Sequence, residues 1–212
     1  MYIASALNLQ AAEFFVLPGT NALLMMGETK ASDVANLKRH IKEDKVESII
    51  LKGPGGDLDA GYALAEVVLE VGLNVVVPKG TKCASACSLI FSAGKKRSLE
   101  NGAMLGFHLP FSKLDSTEEA VVDYCAYVLE DPKLSSVALR FNPLLEDLMD
   151  GYRLPICLEK TYQMGLKDIR KLQRYIDRDG ISPKVLDLVI DTPSSEMYWI
   201  NSDKAAELGL TN

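Results

Sequence analysis

The sequence predicts an α/β fold, a parallel sheet with helical crossovers, and three observations carry that expectation. Apolar runs of strand length, among them Ser48-Ile49-Ile50-Leu51 and Asn74-Val75-Val76-Val77, alternate with longer runs of helix length. The links between them are short. Twice, at 52–61 and at 82–87, a strand runs into a turn of small residues that opens directly into a helix. Repeated strand-helix alternation of this kind buries a parallel sheet under its crossovers.

Taken in order, Phe14 to Leu17 and Ala22 to Met26 flank Pro18-Gly19-Thr20-Asn21, which is turn chemistry and predicts an opening hairpin. Ser32 is placed to cap a helix with Val34, Leu37 and Ile41 on one stripe, followed by a strand from Val46 to Leu51. After the glycines come a helix over 62–71, the strand at Asn74, the Ser85 turn, a helix over 86–93 and a strand over 103–109. From about 112 to 191 the pattern turns helical, with Thr117 to Glu130 the clearest segment and Ser182-Pro183 a favourable start for another. The expected organisation is a single domain over 1–212 with a mainly helical insertion at about 112–191, serving as lid, oligomer contact or surface elaboration.

The chain has 212 residues, 48% of them hydrophobic and 25% charged, which suits one globular domain with a proper core. Net charge is −6 with a pI near 5.0, and no basic cluster exceeds Lys95-Lys96-Arg97, which reads as a solvated loop. A nucleic-acid partner needs a concentrated basic face and is not expected. No apolar stretch reaches the length of a membrane span. The first ten residues lack the basic start and apolar centre of a secretory signal, so the expected location is either cytoplasmic, or periplasmic after removal of a signal.

Four cysteines permit disulfides without demanding them. Cys83 and Cys87 form neither a C-x-x-C redox motif nor a plausible zinc set, and they read first as small apolar side chains that let a turn pack tightly. Pairing with Cys125 or Cys157 is the alternative, and it would favour an oxidising compartment.

The chemistry concentrates in Lys82-Cys83-Ala84-Ser85-Ala86-Cys87 and in Gly106-Phe107-His108-Leu109-Pro110, with His108 23 positions after Ser85. A serine hydroxyl needs a neighbouring base and a pair of donors for the developing oxyanion. His108 on an apolar strand is a candidate base, since a buried imidazole must find a partner. The glycines of Lys52-Gly53-Pro54-Gly55-Gly56-Asp57 permit close approach of another chain, and the N–H groups at the following helix start can hold an oxyanion. The other histidine, His40, lies in Lys38-Arg39-His40-Ile41-Lys42 and reads as solvated. Tyr198 and Trp199 read as core aromatics on the last strand.

These two junctions with the downstream histidine resemble the proteolytic subunit of the Clp protease and the wider ClpP/crotonase superfamily. The resemblance implies a repeated ββα spiral. It lays Ser85 on the nucleophile, His108 on the general base, and the backbone N–H groups of Gly56 and Ala86 on the oxyanion hole. It lays Gly55 and Gly61 on a substrate-side glycine loop. The segment from Tyr198 to Leu210 resembles the closing strand and helix. Met197 stands where the family carries its acidic third residue, which makes the neighbouring Glu196 the tentative substitute. The Cys83 to Cys87 bracket and the Met197-Tyr198-Trp199-Ile200 end resemble a ClpP-like bacterial group often placed in the periplasm.

The expected function is therefore a serine hydrolase, an ATP-independent ClpP-like peptidase that takes peptide or protein substrates, uses no metal or cofactor and forms a homo-oligomer. Two other readings stay open. A crotonase-like enzyme would place similar backbone donors around an acyl-CoA thioester, and a non-catalytic binding or scaffold protein would keep the fold without the third residue.

Overall fold

The structure is a computed structural model that describes residues 11–108, 170–176, 180–192 and 196–212. The predicted hairpin is present: β1 (Glu13–Val16) pairs antiparallel with β2 (Ala22–Thr29), Val16 opposite Leu23. β2 then feeds α1 (Ser32–Asp44), which returns the chain to β3 (Ser48–Gly56) parallel to β2. Ser32 lies inside this helix; its start is held instead by Asp33, whose Oδ2 accepts the Lys30 N–H at 2.8 Å.

β3 does not stop at the glycines. Its last residues stay paired, Glu28 with Gly55 and Thr29 with Gly56, across a register shift after Met26. A β-carbon on Gly53 would meet the Gly27 carbonyl oxygen at 2.3 Å, so two backbones share a space that admits no side chain. α2 (Leu58–Val71) follows, capped by Asp57 Oδ1 accepting from Ala60 N at 2.8 Å and closed by Gly72 at φ +74°.

The sheet forks at β3. The first half pairs with β4 (Asn74–Val77), which continues to β6 (Arg97–Leu99), while Gly53 near its end pairs with β5 (Lys82–Ala84). β5 leads in parallel to β7 (Met104–Phe107), and β8 (Tyr198–Ile200) closes this branch antiparallel. α3 (Ala86–Ser92) joins the two branches. Helical residues 170–176, here α4, then α5 (Lys184–Asp191) and α6 (Ser202–Glu207) complete the described elements. Of the expected insertion, α4 and α5 are the described part; Thr117 to Glu130 lie outside the described residues.

Leu23, Ile49, Val75, Leu64, Val68, Ile90, Leu105 and Ile200 are fully buried between the sheet and the helices. Gly61 sits within α2 rather than on a loop, and a β-carbon there would meet the Ala86 β-carbon at 2.9 Å. Its missing side chain lets α2 and α3 approach.

Three expectations about exposure are corrected. Arg97 is buried; its guanidinium and Nε donate to the carbonyls of Gly94, Gly209 and Leu210, and Asn212 bonds both its N–H and its C=O. The arginine satisfies carbonyls at the chain's end that burial would otherwise leave unpaired. His40 is buried under Phe14, ring centroids 5.9 Å apart, with Asp44 at 2.7 Å from Nδ1. Tyr198 and Trp199 on the edge strand β8 are partly exposed, and Lys82 Nζ lies 4.6 Å over the Trp199 ring.

Candidate active site

The site forms at the carboxyl ends of β3, β5 and β7, where parallel strands of an open sheet leave a crevice. Ser85 occupies the corner between β5 and α3 with φ +54° and ψ −123°, a conformation that an L-residue adopts at a cost of about 1–3 kcal/mol. The corner projects the side chain off the end of the strand and opens α3 immediately behind it. His108 follows β7, one strand over.

The two side chains meet: His108 Nε2 lies 2.8 Å from Ser85 Oγ. With the ring proton on Nδ1, Nε2 accepts the hydroxyl proton, the arrangement a general base requires. Sequence alone placed these groups 23 residues apart; the parallel register of β5 and β7, Ala84 beside Gly106, turns that separation into contact.

The glycine segment closes one side. Gly55 takes φ +94°, and a β-carbon there would come within 2.6 Å of the Ala84 carbonyl oxygen, 2.8 Å of the Ser85 β-carbon and 2.9 Å of Ala86 N. Gly55 is therefore in backbone contact with the serine corner. Gly56 adjoins it at φ +142°, and the Asp57 N–H that follows is used on the Thr29 carbonyl at 2.9 Å. Ala86 opens α3, where a first-turn N–H has no intrahelical acceptor.

Cys83 and Cys87 are joined to each other, Cα atoms 5.2 Å apart, so the expectation of two free thiols is replaced by a disulfide spanning the corner. The physical reason is the chain reversal at Ser85, which folds the start of α3 back against β5. The sequence reading also missed Ser88. Its buried hydroxyl lies 2.8 Å from the Cys83 carbonyl and 2.9 Å from that of Gly106, bridging the strand of the serine to the strand of the histidine. Nothing in the small-residue run 83–88 marks Ser88 out; only the paired strands create its two acceptors.

Glu196, the tentative third member, is exposed. Met197, next to it, lies over β7, its sulfur 2.7 Å from where a Gly106 β-carbon would stand. The cavity in front of the pair is small and lined by Leu58, Tyr62, Leu89, Phe107, Leu172 and Val189. Among the described residues no cluster of three or more metal-ligating side chains occurs, and no described helix is long and apolar enough to cross a membrane.

Neither a protein-family model nor any curated protein matches the sequence. Solved structures match the fold. A mutant of ClpP1 from Listeria monocytogenes superposes with a TM-score of 0.56 at 15% identity, over 91% of this chain and 89% of that one. A mutant of the membrane-bound stomatin-specific protease 1510-N does so with a TM-score of 0.51 at 14% identity, over 90% of this chain and 76% of that one. The chain has a ClpP-like fold, the architecture it shares with these two structures.

Proposed function

We propose that the protein is a serine hydrolase of peptide or ester bonds, an ATP-independent ClpP-like peptidase in which Ser85 is the nucleophile and His108 the general base. The single observation that carries this reading is the 2.8 Å contact between Ser85 Oγ and His108 Nε2 at the carboxyl end of the sheet. Ser85 Oγ forms a bond to the acyl carbon as its proton passes to Nε2. The carbonyl oxygen gains negative charge, and the N–H groups of Gly56 and Ala86 receive it. The Gly56 assignment is supported by its neighbour Gly55, whose backbone lies against the Ser85 corner and Ala86 N. Collapse breaks the bond to the leaving group, which takes the proton from His108, and a water then repeats the sequence on the acyl-enzyme.

The resemblance and the ClpP-like fold favour a self-associating enzyme, to be checked by native mass spectrometry. A fluorophosphonate probe tests the chemistry. It is expected to acylate the wild type at Ser85 and to spare both Ser85→Ala and His108→Ala. Equal labelling of wild type and Ser85→Ala overturns the reading, and peptide binding with no labelling or turnover in the wild type would assign the chain to a scaffold role.

A further inference from the structure

We infer that the site accepts only a short apolar group beside the bond it cleaves, of one or two carbons: an acetyl- or propionyl-sized acyl group, or a side chain the size of alanine's. The inference rests on the serine-hydrolase reading above. The cavity facing Ser85 and His108 has a volume of about 30 Å³, room for about two waters on the measure by which one water needs ~10–15 Å³. Its other described walls are Tyr62 and five apolar side chains and carry no charged group, so an entering charged group would lose its water without a counter-charge.

The size of this space is set by packed elements. Leu172, one wall, stands on α4, and α4 is fastened to α2 at several points. Tyr175 Oη donates to Glu66 Oε1 at 2.6 Å, Lys171 Nζ lies 3.3 Å from Asp59, and Lys171 also sits 5.0 Å over the Tyr62 ring. Tyr62 and Tyr175 stack with centroids 6.0 Å apart. Burial and the adjacent Glu66 push the Tyr175 hydroxyl well above its ordinary range, so it remains a donor throughout the working pH range. Val189, another wall, is almost fully buried on α5, and Leu89 is buried in α3 behind the nucleophile. A longer chain can enter only by displacing these side chains from a close-packed interior, which costs contacts on every wall.

The test is a series of p-nitrophenyl esters, acetate, butyrate, hexanoate and octanoate, with the wild-type chain. The expected result is a fall in kcat/KM of about tenfold or more from acetate to hexanoate, the discrimination a filled apolar pocket supplies. A flat or rising series overturns the inference. Labelling by ethyl fluorophosphonate, read at Ser85 by mass spectrometry, separates the two claims: labelled Ser85 with a flat series removes the size limit and leaves the hydrolase, whereas no labelling and no ester turnover removes both. Leu172→Ala should raise the hexanoate-to-acetate ratio about tenfold, and an unchanged ratio overturns the role of that wall. Should Leu172→Ala fail to fold, Val189→Ala provides the same ratio, and the wild-type series decides on its own.

Discussion

The molecule solves the same problem, a strand running straight into a helix, in two ways within 40 residues. At the β3–α2 corner glycine supplies the unusual backbone, Gly55 and Gly56 at φ +94° and +142°, and Asp57 caps the helix. At the β5–α3 corner the residue with positive φ is Ser85, and its helix start has no side-chain cap. A disulfide and the Ser88 hydroxyl brace that second corner. A corner that offers only backbone to its surroundings can relax into glycine, whereas one that must present a hydroxyl holds a strained residue and needs support from neighbours.

The largest effect should come from the corner where backbone contact is tightest. Gly55→Ala would force a β-carbon against the Ala84 carbonyl and Ala86 N while the residue is held at positive φ, and we expect a loss of about 2–4 kcal/mol in urea unfolding together with loss of probe labelling. A variant as stable as wild type would show that the two corners are not in contact. Next, the double change Cys83→Ala with Cys87→Ala removes the brace. It should cost about 2 kcal/mol, with labelling reduced; an unchanged denaturation midpoint would mean that Ser88 suffices.

Ser85→Gly sharpens the contrast in the opposite direction. It converts the second corner to the chemistry of the first, and should abolish labelling while raising stability by about 1 kcal/mol. A destabilised Ser85→Gly would show that the serine is not strained there.

The smallest effect concerns a third corner, β2–α1, where Asp33 is fully buried. Burial pushes its carboxyl above the usual range, against the Lys30 N–H that pulls it down. Because the folded state holds this proton more tightly than the unfolded one, the Asp33 contribution is present at low pH and is lost as pH rises through the folded value. Asp33→Asn should therefore gain on wild type as pH is raised from 3 to 7 in thermal melts, and a gap that narrows with rising pH would contradict this.

The fold was legible in the sequence where periodicity and turn chemistry agree, as in the hairpin around Pro18-Gly19 and the two helices that follow strands at 57 and 85. Ser85 and His108 were legible as a pair through the corner and strand they occupy. Glu196 was named only because it stands next to Met197 in the chain, and position along the chain says nothing of which way a side chain is presented. Arg97 and His40 looked solvated because charged neighbours surround them in sequence; their burial depends on the chain's last residues and on Phe14, distant or separate segments that local pattern does not reveal.

The sequence by itself determined which segments are strands, which are helices and where the backbone needs glycine, because propensity, alternation and steric freedom act over a few neighbouring residues. Only tertiary structure decided that β3 forks, that Cys83 closes on Cys87, that Ser88 ties two strands and that Leu172 walls the cavity. Those outcomes depend on which strands lie side by side, and that is chosen by burial of the whole apolar surface at once.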